Sequence, residues 1–216
     1  MADIFREVDE ELRHQQMMTL WRKYGKLVIA AVVVLVLAVA GYAGWHSYWN
    51  GRYQKDSLKF SAAMDLLSQK KTAEAAKAFE ELNAKGSPGY AYLAGIQGAE
   101  AEISLGHKDK AVAMFKALAA SDIKDPYLAD YAELMAILHS VDTGLDAEMT
   151  KRLASLAEEG KPWAFTARQI QALAAYKAGR VKEAHDLLMA LTQNVDAPKS
   201  VRDRAQELAT VIGPQK

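Results

Sequence analysis

Five histidines, His14, His46, His107, His139 and His185, are the residues best suited to chemistry in a chain that has no cysteine. They are scattered, with no HExxH pattern and no pair at metal-ligand spacing, so they read as surface or capping residues. The missing thiol excludes disulfides, cysteine nucleophiles and thiolate metal sites. No phosphate-binding glycine loop and no GxSxG appears. Asp9-Glu10-Glu11 and Glu158-Glu159 read as solvated helix faces, not acid–base dyads. Catalytic, metal and cofactor sites are therefore not expected, and the chain is not expected to be an enzyme.

What remains is recognition by aromatic side chains. Tyr90, Tyr92, Tyr127 and Tyr131, with Trp163 after Pro162, are the candidate partner-binding residues, against the competing reading that they fill the core. The net charge of zero argues against a nucleic-acid surface, which needs clustered cations.

The elements that carry these residues follow from periodicity. Phe60, Ala63, Met64 and Leu67 mark one helix, and Ala75, Ala76, Phe79 and Leu82 a second. Leu128, Tyr131, Met135 and Leu138 mark another, as do Val181, Ala184, Leu188 and Leu191. Val201, Ala205, Leu208 and Ile212 mark the last, stopped at Gly213-Pro214. No stretch reads as a strand. The fold class is all-α.

A longer period overlies the helical one. Pro88, Pro126, Pro162 and Pro198 are spaced by 38, 36 and 36 residues, and Ser87 and Asp125 precede two of them as N-caps. Ala75 and Phe79 recur as Ala111 and Phe115, then as Ala184 and Leu188. Gly106 and Gly179 each precede the alanine by five residues. The glycine turns the corner, the alanine lets two helices approach, and the bulky residue fills the gap between them. The unit between Pro126 and Pro162 is degenerate, with only Ala147 and Leu153 roughly in place. The pattern resembles the tetratricopeptide repeat, though the opening tryptophan and the Gly-x-x-Tyr element of that repeat are missing. In repeats of this kind the first helices line the concave face, where the four tyrosines fall.

Ahead of the repeats, Leu27 to Trp45 runs nineteen residues without a charge. As a helix it measures about 28 Å, close to the ~30 Å hydrocarbon core of a bilayer. Trp21, Arg22, Lys23 and Lys26 form an interfacial girdle at its near end, and Tyr42, Trp45, Tyr48 and Trp49 one at its far end. A cleaved signal peptide is the rival, since Ala38-Val39-Ala40 fits a cleavage site. The long, acid-containing leader and the apolar run beyond the cut favour a retained anchor. Four cations in the fifteen residues before the span, against three after it, place the amino terminus in the cytoplasm.

The expected organisation is a charged amphipathic cytoplasmic segment (1–26), a transmembrane helix (27–45), a juxtamembrane linker hinged at Asn50-Gly51 (46–56) and a helical repeat domain (57–216). In the first segment Ile4, Phe5, Val8 and Leu12 form an apolar edge, with Asp9 and Glu10 placed to pair with Arg13. That edge fits a membrane surface, a cytoplasmic partner or a tail that only sets topology.

The opening MADIFREVDEELRHQQMMTLWRKYG, the span and the degenerate repeats together resemble the YfgM-type proteins, ancillary subunits of the bacterial Sec translocon. The resemblance implies an inner-membrane protein with a periplasmic repeat domain. Its implied partners are the translocon, periplasmic chaperones or secretory client chains, and membrane lipid. An anchored adaptor for another envelope complex, in cytochrome maturation or cell-wall assembly, is the alternative.

Overall fold

The computed structural model describes the backbone at residues 2–123 and 125–213, and the side chains within those ranges from residue 17 onward, position 20 excepted. Among these residues there are nine α-helices, one 3-10 turn and no strand. The apolar edge and charge pairs expected within 1–16 lie outside the described side chains.

Two compact units divide the chain, residues 1–54 and 55–216. The described residues of the first unit are helical, part of α1 (Ala2–Ser68). Among the described residues this helix alone is long and apolar enough to cross a membrane, and none of its apolar window is buried. The segment expected as a hinged linker, 46–56, is helical, Asn50-Gly51 included. A single glycine costs a helix only about 1 kcal/mol relative to alanine. Around Gly51 that cost is opposed by an aromatic ladder: Trp49 lies 5.9 Å from Trp45 and 5.8 Å from Tyr53, ring centre to centre, with Arg52 over its face.

The second unit is built from helix pairs. The last turns of α1 pack on α2 (Thr72–Lys85) through Phe60, Ala63 and Phe79; α3 (Pro88–Ser104) pairs with α4 (Lys108–Ala119), α5 (Pro126–Ser140) with α6 (Ala147–Leu156), and α7 (Ala164–Lys177) with α8 (Val181–Gln193), and α9 (Lys199–Ile212) packs on α8. The repeat register holds at atomic detail. Ala75, Phe79, Ala111, Phe115, Ala184 and Leu188 are all buried. Three of the turns are the same structure. Lys70, Gly106 and Gly179 have φ of 61°, 85° and 77°, and the residues after them donate N–H to Leu66, Glu102 and Ala175 carbonyls at 2.9 Å. This is a Schellman closure, which needs a left-handed residue at its corner.

Glycine meets that need twice and Lys70 meets it once, at a steric cost. Gly106→Ala and Gly179→Ala should each destabilise the unit by about 1–2 kcal/mol. Lys70→Gly should raise the urea midpoint. A lower midpoint for Lys70→Gly would mean that the lysine side chain contributes more than its backbone costs.

The third pair departs from the pattern. A 3-10 turn (Val141–Thr143) and Gly144, at φ 93°, replace the Schellman corner. α6 has 10 residues where α2, α4 and α8 have 14, 12 and 13. Leu153 is buried as expected, but Ala147 is not the small contact residue: it opens α6 and is exposed. The longer connector shifts the register, so Leu153 and Leu156 bury themselves against Leu134, Ile137 and Ile170 without it. The prolines also differ in role. Pro88 and Pro126 begin helices behind Ser87 and Asp125, Pro198 is itself the residue before α9, and Pro162 lies in a turn ahead of α7.

α3 is apolar on nearly every side because neighbours cover it. A Cβ on Gly95 would lie 2.6 Å from both Asn83 Nδ2 and a Leu118 methyl, so α2 and α4 close on α3 where it has no side chain.

Candidate functional site

The aromatic residues singled out by sequence separate into two groups. Tyr90 stands apart, half-buried with its ring 6.1 Å from that of Phe60. Tyr92, Tyr127, Tyr131 and Trp163 come together where α5 begins. Tyr92 is 5% exposed and donates its hydroxyl to the Leu128 carbonyl. Burial, with Tyr131 and Asp125 nearby, pushes its phenol up to about 12. Its ring is therefore part of the core, because a buried hydroxyl needs an acceptor and α5 supplies one. Trp163 donates Nε1–H to the Tyr127 carbonyl at 2.9 Å and sets its ring 5.3 Å from Tyr131. Both staples join residues 36 apart, one repeat period. Tyr127 keeps its ring outside, 56% exposed.

Beside this cluster a groove of about 430 Å³ runs between α3, α4 and the loop after α4. Ala91, Tyr92, Gly95, Met114, Leu118 and Ile123 line it, with Asn83, Ser121 and Asp122 as polar members. The Asn83 amide is held by the Ala91 carbonyl at 2.8 Å. Such a surface offers apolar contact with a few fixed polar atoms, suited to a peptide segment.

Sequence reasoning did not find three carboxylates that tie the helices of this unit together. Asp56, 4% exposed, accepts the Ser87 N–H at 2.7 Å, so a carboxylate from α1 holds the backbone of the residue before α3, whose own hydroxyl makes no capping bond. Asp142 accepts Lys108 and Lys177 Nζ at 2.8 Å each, and these lysines hold its carboxyl down at about 2. Glu102, 5% exposed, accepts Lys110 Nζ at 2.8 Å and sits 2.6 Å from His107 Nδ1, while Lys110 reaches Glu80 on α2 at 3.2 Å. Lys110 first, then His107, holds the Glu102 carboxyl below its usual range against the opposing effect of burial.

A carboxyl lowered by folding stabilises the fold above its unfolded value, and that contribution is lost as pH falls toward the folded value. The thermal midpoint should therefore drop as pH falls below about 4.5, the ordinary carboxyl value. Glu102→Gln should flatten that limb. An unchanged acid limb in the variant would remove Glu102 from the account.

The other histidines have ordinary neighbours: His46 stacks on Tyr42, His139 stacks on Phe115, and His185 lies 4.0 Å from Asp186. The side chain of His14 lies outside the described residues. No group of three metal-holding side chains forms among the described residues. Glu158 and Glu159 are exposed. In the first unit, Trp21, Arg22, Lys23, Lys26, Tyr42, Trp45 and Tyr48 are exposed and Trp49 is half-buried.

The profile of a tetratricopeptide repeat-like domain family matches residues 19–136, more than half of the chain. The chain belongs to this family. The matched stretch starts ahead of the apolar run at 27–45 and ends within α5, so it takes in that run, two full helix pairs and the aromatic cluster except Trp163. Domains of this kind are typically interaction modules that bind proteins. Among curated proteins and among solved structures, none matches the chain significantly.

Proposed function

We propose that this tetratricopeptide repeat-like protein is a non-enzymatic, membrane-anchored scaffold of the YfgM type, ancillary to the bacterial Sec translocon. The observation that carries the reading is the extent of the family match, which includes the span and the helix pairs in one stretch. Residues 27–45 cross the inner membrane, 1–26 lie in the cytoplasm, and the repeat domain, 57–216, lies in the periplasm. There it contacts chaperones or emerging secretory chains. Stacked helix pairs present an extended surface for such segments, and Tyr127 with the adjoining groove is the candidate contact. Tethering beside a pore raises the effective concentration for emerging chains, so tight affinity is not required.

Crosslinking in intact membranes tests this, with residues 1–49 exchanged for an unrelated anchor of the same topology. Translocon crosslinks should fall sharply in the exchanged protein while chaperone or client crosslinks persist. If the native protein gives no translocon crosslink, the reading fails, and the partners recovered identify another envelope assembly instead.

A further inference from the structure

The chain is neutral overall, yet its charge is segregated. No Asp or Glu occurs from Leu12 to Lys55, whereas Arg13, Arg22, Lys23, Lys26, Arg52 and Lys55 all fall in that stretch. The carboxylates that balance the amino-terminal side, Asp3, Glu7, Asp9, Glu10 and Glu11, all precede it. Arg22, Lys23 and Lys26 directly precede the apolar run and are exposed. Among the described residues none of the three is paired with a carboxylate. Lys23 Nζ lies 5.4 Å from the centre of the Tyr24 ring, and Trp21 and Tyr24 are exposed beside it.

Amphipathic rings of this kind settle at headgroup depth, which places the three cations there with them. Arg22 and Lys26 are one turn apart on one face of α1, with Lys23 adjacent. A cation at the margin of a low-dielectric layer needs an anionic partner, and this stretch of chain supplies none. Lipid phosphate is the anion available at that depth. A zwitterionic headgroup offers its phosphate already balanced by its own ammonium, whereas an anionic headgroup offers an unbalanced charge.

We propose that Arg22, Lys23 and Lys26 form a collar on α1 that recruits lipids with net anionic headgroups. The proposal rests on the reading that residues 27–45 span a membrane.

The test uses the full chain reconstituted in phosphatidylcholine bilayers with spin-labelled phosphatidylglycerol and phosphatidylcholine probes. Electron paramagnetic resonance reports which probe the protein slows. At 0.1 M salt phosphatidylglycerol should associate about threefold more strongly than phosphatidylcholine, given the attraction of basic residues to anionic lipid. In about 1 M salt, where the screening length falls to ~3 Å, the ratio should approach one. R22Q/K23Q/K26Q should lose the preference while still slowing phosphatidylcholine, which reports intact insertion. K55Q/K59Q should keep it. Equal association of both probes with the native protein, or a preference that survives the triple substitution, would overturn the collar alone. Phosphate salts that erase the preference more strongly than chloride at equal ionic strength would make this a site for free phosphate and overturn the lipid assignment. If neither probe is slowed, the span itself fails and the collar with it.

Discussion

Truncating Phe79 or Phe115 to alanine is expected to remove about 3–5 kcal/mol of stability, the usual cost of emptying a phenylalanine-sized core site. Both rings are fully buried. Phe79 is surrounded by Ala63, Ala75, Leu82 and Ala94, with the Phe60 ring 5.5 Å away. Phe115 sits among Tyr92, Ile96, Ala99, Ala132 and Ala136, with His139 stacked on its face at 5.7 Å. Several of these neighbours are alanines in helix backbones, so the cavity cannot be filled by a side chain swinging inward. A domain of this size is stable by only about 5–15 kcal/mol, so either change removes a large share. Urea denaturation of the purified protein measures it. A loss below about 1 kcal/mol at both positions would place the rings outside the core and dissolve the repeat register. Leu188, buried at the same place in the fourth pair, should cost about 2–5 kcal/mol on truncation, less than the phenylalanines because a smaller side chain is removed.

These positions were legible in the sequence because packing constrains residue size. Where two helices must approach, only a small side chain fits, and a bulky one must fill the space a turn later. That rule left Ala75 with Phe79 and Ala111 with Phe115 in plain view. The turns were legible only where glycine marks them. The first carries Lys70 in the same left-handed corner, and a lysine does not announce a positive φ. Ala147 misled for a related reason: a small residue is permitted at a close contact but is equally at home on an exposed helix face.

The buried carboxylates were beyond reach. Asp56 and Glu102 occur in runs that read as ordinary charged helix. Only the fold brings Asp56 to the start of α3 and Lys110 to Glu102. The aromatic candidates show the same limit. Spacing placed Tyr92 and Tyr127 on first helices but could not tell that one hydroxyl would find the Leu128 carbonyl while the other ring stayed outside. At 46–56 local propensity argued for a weak point, and contacts four residues apart along the aromatic ladder outweighed it.

The second large effect is expected in the span. Val33 and Leu37 are exposed, lie one turn apart and fall near the middle of 27–45. Arginine at the centre of a membrane helix costs about 2.5–3.5 kcal/mol in insertion, so Val33→Arg with Leu37→Arg should cost roughly twice that. The apolar run has no acidic residue to pair with either arginine. The native protein should therefore stay with membranes through alkaline carbonate extraction, and the double variant should appear largely in the extract. Intact mass must be measured on the same samples, because a cleaved leader would need the same apolar residues for a different purpose. A retained anchor gives a chain that still carries residues 27–45. Cleavage after Ala38-Val39-Ala40 gives a chain that begins at Gly41, released from the membrane without any substitution. In that case the exposed valines and leucines would have served export alone, and neither the girdles nor the collar would have a membrane to face. A full-length chain that remains in the pellet despite both arginines would point elsewhere: attachment would then depend on protein contacts of the helix pairs and not on the span.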